Sequence, residues 1–102
     1  MRTVRRLLEA AVERKVVHTA LTVYGVRSIK LDSRVSSGWP DRLFLVPGGR
    51  PLFIEFKKPG DKPGAKQDYV IGVLRDLGYA VEVHDDFDEA MGAIFRAAHS
   101  NV

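Results

Sequence analysis

The segment Gly38-Trp39-Pro40-Asp41 and, fourteen residues past its aspartate, the triplet Glu55-Phe56-Lys57 hold the side chains best suited to chemistry in this 102-residue chain. Two carboxylates suit a hard divalent cation such as Mg²⁺, which takes oxygen ligands and keeps several waters. Lys57 stands two positions after Glu55, so on a strand its ammonium projects from the same face. That set can hydrolyse a phosphodiester: the cation polarises the phosphate and acidifies a water, and a fixed positive charge steadies what develops on the oxygens. Asp41, Glu55 and the Phe56 carbonyl are candidate metal ligands, with Glu13 reaching the metal directly or through water. Lys57 is the candidate catalytic cation, and Gln67 could orient a water or hold a ligand.

The elements around these residues must bring them together. Residues 3–24 have helical periodicity with two apolar stripes facing different ways, Val4/Leu7/Leu8/Ala11 and Val16/Val17/Ala20/Leu21/Tyr24. This predicts either two helices broken near Arg14 or one long helix, whose first stripe would then need a cover such as a twin subunit. Strands are expected at 26–31, 41–46 and 52–57, with Pro47-Gly48-Gly49-Arg50 as the turn of a hairpin. If that turn is tight, facing residues have index sums of about 96 to 98, and Asp41 falls opposite Glu55, Phe56 or Lys57. An even sum puts Asp41 on the face of Glu55 and Lys57. A helix over 66–77 bearing Tyr69, Val70, Val73, Leu74 and Leu77, a strand over 80–84 and a final helix, capped by Asp88 and bearing Met91, Ile94, Phe95 and Ala98, complete the order α-β-β-β-α-β-α. That order is an α/β fold with helices against a mixed sheet. Glu13 lies on the helix face that must pack on the sheet, where a carboxylate is costly unless paired or bound to a cation; Glu9 lies one turn farther out.

Composition sets the outer limits. The chain is one domain's length, 45% apolar and 28% charged, with a net charge of +3 that suits a polyanionic partner without demanding one. It has no cysteine, which excludes a disulfide framework or thiolate zinc site and fits a reducing cytoplasm. No apolar run is long enough for a membrane span, and no signal-like segment opens the chain, so a cytoplasmic location is expected, the host's if the gene is a phage's. Lys58, Lys62 and Lys66 in the Pro/Gly-rich loop are a charged surface or a grip on phosphates. Lys30 could lie near phosphate or simply on a strand face, and Trp39 could stack on a base or merely pack. His18, His84 and His99 show no ligand spacing, and Asp85 and Asp86 are expected to form a helix-capping turn and not a second metal site.

Together these residues resemble the PD-(D/E)xK nuclease superfamily and, within it, the VRR-NUC group. Pro40-Asp41 matches the "PD" and Glu55-Phe56-Lys57 the "ExK". Glu13, Gly25, Lys30, Gly38-Trp39-Pro40-Asp41-Arg42, Ile54 through Gly60 and Gln67 extend the match over residues 13–84. The resemblance implies a single VRR-NUC-type domain over 1–102, with a restriction-endonuclease-like αβββαβ core, a helical extension at 1–12 and a closing helix near 88–99. It implies a Mg²⁺- or Mn²⁺-dependent endonuclease acting on branched DNA such as Holliday junctions, as a homodimer, in a phage or DNA-repair setting. A non-catalytic junction-binding module, or the same chemistry on linear DNA or RNA, are the other readings.

Overall fold

Seven elements follow one another in the computed structural model, which describes residues 2–32, 34, 35 and 37–99, with side chains from Leu8 onward. They are α1 (Arg2–Tyr24), β1 (Arg27–Lys30), β2 (Arg42–Val46), β3 (Arg50–Phe56), α2 (Ala65–Asp76), β4 (Ala80–His84) and α3 (Phe87–Ala98). The four strands form one mixed sheet in the order β1-β2-β3-β4, antiparallel across the first two pairings and parallel between β3 and β4. This is the α/β architecture expected from the element order, and it is compatible with a restriction-endonuclease-like core.

Strand alternation divides the core into two layers. Phe44, Val46, Leu52, Ile54 and Phe56 turn to one face and pack with Val16 and Ala20 of α1 and Ala90, Ala93 and Ile94 of α3. Phe53 and Val81 turn to the other and pack with Ile71 and Leu74 of α2. The sheet is thus helix-covered on both faces, and Asp41, Glu55 and Lys57 share the odd-numbered parity of the α2 side.

Of the two alternatives for the N-terminal segment, the structure has the single unbroken helix, of 23 residues. Other expectations need correction, beginning with the second stripe, which is buried only in part: Leu21 is 42% exposed while Val16 and Ala20 are fully enclosed. Of the first stripe, Leu8 and Ala11 are exposed, and the Val4 and Leu7 side chains lie outside the described residues. The cap of α3 is Asp86, as expected of a capping turn at Asp85-Asp86, and its carboxylate accepts the Glu89 N–H at 3.0 Å; Asp88, the other expected cap, sits inside the first turn. The helix buries Ala90, Ala93 and Ile94, whereas Phe95 is half exposed and stacks on His99. Likewise α2 turns Ile71 and Leu74 inward and leaves Tyr69, Val73 and Leu77 outside. Among the described residues no helix is long and apolar enough to cross a membrane.

Candidate active site

The β2–β3 hairpin sets the geometry. Arg42 pairs with Ile54, an index sum of 96, so one step beyond the ladder Asp41 arrives beside Glu55. Two bonds from backbone N–H groups fix Asp41 there. Its carbonyl accepts the Leu31 N–H at 2.9 Å, and its Oδ2 accepts the Phe56 N–H at 2.8 Å. Pro40, fully buried, and Gly38, with φ at +85°, shape the approach. A Cβ at position 38 would stand 2.9 Å from Lys66 Cγ and 3.1 Å from the Lys66 carbonyl, so the loop leans on the first turn of α2 through a contact that only glycine permits.

Glu55, Lys57 and Gln67 form a closed network. Gln67 Nε2 donates to Glu55 Oε2 at 2.7 Å, and Lys57 Nζ donates to Gln67 Oε1 at 2.6 Å. Lys57 Nζ also stands 3.1 Å from Glu55 Oε2. The Gly64 N–H donates to Gln67 Oε1 at 3.2 Å, so the glutamine in the first turn of α2 also tethers the loop before it. The amide therefore bridges ammonium and carboxylate, holding each in place. Glu55 is only 3% exposed, and its other oxygen, Oε1, is buried with no hydrogen-bond partner.

Charge is crowded here. Burial first, and the Asp41 carboxylate second, push the Glu55 carboxyl up to about 7, against the lowering pull of Lys57. Asp41 is also raised, mainly by burial, although the Phe56 N–H favours its ionised form. The Asp41 charge acts on Glu55, so the two carboxyls titrate together and not independently. Glu9 is raised by partial burial and then by Asp41, with Lys57 and Lys58 opposing, so it belongs to the same electrostatic neighbourhood.

A divalent cation fits this donor set. A buried carboxylate oxygen without a donor, beside a second carboxyl raised mainly by burial, is an arrangement that a cation would relieve. Among the described residues no three His, Cys, Asp or Glu side chains gather tightly enough to hold an ion by themselves. The protein oxygens present are those of Asp41 and Glu55, with the Phe56 carbonyl at the same strand end.

Glu13 is placed differently from the other three acids. It is buried on the α1 side of the sheet, where its Oε2 accepts from Arg42 Nε at 2.7 Å and Lys30 Nζ at 2.8 Å. Arg42 and Lys30 are directly cross-paired on β2 and β1, so one carboxylate ties the first helix to two strands. Lys30 is accordingly bound at its tip but half exposed along its length. Lys62 and Lys66 are exposed and Lys58 half-buried, all in or beside the loop that leads from Lys57 to α2. Trp39 is 41% exposed and packs edge-on against Phe53 at 6.1 Å between ring centres.

The residue that sequence reasoning missed is Arg42. The available signal was its antiparallel position opposite Lys30, which puts two cations on the face presented to the one buried acid of α1.

No family model matches the chain. It is similar to the protein named "Putative nuclease p44" of Acyrthosiphon pisum secondary endosymbiont phage 1, with 34% identity over 84 residues that cover 82% of this chain and 89% of the relative. That likeness spans most of both chains, and on it the chain belongs to the nuclease family of this phage protein.

Proposed function

We propose that the protein is a divalent-metal-dependent endonuclease of the VRR-NUC type, acting as a homodimer on branched DNA. The observation that carries the metal-dependent reading is Glu55 Oε1, buried and without a donor next to Asp41. The nucleic-acid substrate is supported by the phage relative's name, and the branched substrate and the homodimer by the resemblance of Pro40-Asp41 and Glu55-Phe56-Lys57 to that group.

Asp41, Glu55 and the Phe56 carbonyl would hold Mg²⁺ or Mn²⁺, which supplies Lewis-acid polarisation of the phosphate and a more acidic water. Lys57 keeps a positive charge at the carboxylates, placed to meet the charge that develops on a phosphoryl oxygen. Gln67 holds Lys57 and Glu55 in register, so neither must be reoriented when substrate arrives. Glu13, through Arg42 and Lys30, fixes the first helix on the sheet and so brings Glu9 to the edge of the site. Lys58, Lys62 and Lys66 would take backbone phosphates.

The test is a substrate panel: four-way junction, flap, linear duplex and RNA, with Mg²⁺, Mn²⁺ or EDTA, beside Lys57→Ala. Junction cleavage that stops in EDTA is expected, as is a fall of about 10²- to 10³-fold in Lys57→Ala with junction affinity retained. Binding without cutting would leave a recognition module, and cleavage of duplex or RNA at the same rate would remove the branched-DNA assignment.

A further inference from the structure

On the α2 side of the sheet lies a groove that the hydrolytic chemistry does not use. Trp39, Tyr69, Val70, Val73, Leu74 and Leu77 line a cleft of about 220 Å³ between the loop entering β2 and the outer side of α2. Its rims are aromatic and exposed, with Tyr69 at 72% and Trp39 at 41%. Leu74 and the half-buried Val70 form its inner side, and Trp39 is braced from behind by Phe53, itself edge-on to Tyr79. The space is smaller than the ~300–1,000 Å³ of pockets for drug-sized ligands, which suits one flat ring system.

Position and charge select the occupant. Trp39 is two residues before Asp41, and Tyr69 is two residues after Gln67, so both walls are continuous with elements that carry the site. Lys66 stands three residues, nearly one turn, before Tyr69 on the same side of α2, and its stem lies against Gly38, beside Trp39. An aromatic wall beside a lysine is the pairing that single-stranded nucleic acid uses: a base stacks and its phosphate meets the cation. A fully stacked duplex offers no free ring face to such a groove.

We infer that the groove between Trp39 and Tyr69 receives an unpaired nucleobase adjoining the phosphodiester to be cut, with its backbone phosphate on Lys66. This rests on the nucleic-acid reading above and adds to it: the branch is sensed through a base taken out of the stack.

Trp39 is the chain's one tryptophan, so its emission reports the groove directly. The measurement is a titration in the Lys57→Ala background with Mg²⁺, using a duplex with one unpaired nucleotide and the same duplex fully paired, with and without Tyr69→Ala. Tyr69 is mostly exposed, so its truncation leaves the core untouched. The expected result is stronger Trp39 quenching and tighter binding with the unpaired nucleotide, and loss of about 5- to 150-fold of that binding in Tyr69→Ala with little change for the paired duplex. Cleavage by the unsubstituted chain, measured in parallel, separates the two readings. Cleavage with equal quenching and affinity for both duplexes overturns the groove alone, whereas neither binding nor cleavage overturns both. A Tyr69→Ala change in sedimentation, with no change in DNA preference, would assign the groove to a second copy of the chain and overturn it as well.

Discussion

At the scale of single residues, Glu55 is the group whose environment differs most from water. Its folded-state carboxyl is raised from 4.5 to about 7, chiefly by burial and then by Asp41. The native chain therefore binds a proton more tightly than the unfolded chain between those values. Stability from this group is fully present below about 4.5 and is lost as pH rises through about 7. Metal-free protein should accordingly lose up to about 3 kcal/mol across that window, shared with Asp41, and Mg²⁺ at pH 8 should restore part of it. Urea midpoints at pH 4.5 and 8, with and without Mg²⁺, measure this; a flat profile in metal-free protein would contradict it. The convergence of Asp41, Glu55 and Lys57 was legible in the sequence because strand parity and one hairpin turn suffice to bring them together. Gln67 was signalled only by its place in the first turn of the next helix and by the family resemblance. Arg42 was not legible, since its partner Glu13 is separated by 29 residues and the helix-to-sheet packing that joins them has no local signature.

The hairpin is the element that makes the site, and its index sum of 96 lies within the range that a tight Pro-Gly-Gly-Arg turn allows. The helices were less legible. Periodicity located α2 and α3 but placed their faces imperfectly, because the exposed Tyr69, Val73, Leu77 and Phe95 fall at the same helical spacing as apolar residues that are buried. In α2 that excess apolar surface flanks the groove beside Trp39. The weakest point between elements is Gly38, where positive φ and a 2.9 Å approach to Lys66 coincide. Gly38→Ala should destabilise the fold by about 1–3 kcal/mol through backbone strain and displacement of the loop. Thermal unfolding checks this, and an unchanged midpoint would mean that the loop moves freely against α2.

Over the whole molecule, the net charge of +3 is modest, so affinity for a polyanion must come from local placement. Lys58 and Lys62 lie in the loop after β3, and Lys66 is in the first turn of α2. Replacing all three with glutamine should lower the slope of log affinity against log salt by about one for each phosphate no longer neutralised, without changing the preference among DNA shapes. Binding isotherms over a salt series would show it, and an unaltered slope would remove these lysines from the interface. The sheet gathers the site at the end of β2 and β3, where two carboxylates face a fixed ammonium and one buried oxygen has no partner. The direct test of that arrangement is calorimetric titration of Mn²⁺ at pH 8 into the unsubstituted chain and into Glu55→Gln, without nucleic acid. Saturable binding that disappears in Glu55→Gln is the expected result; equal binding by both, or none by either, would contradict the assignment of Asp41 and Glu55 as the cation's holders.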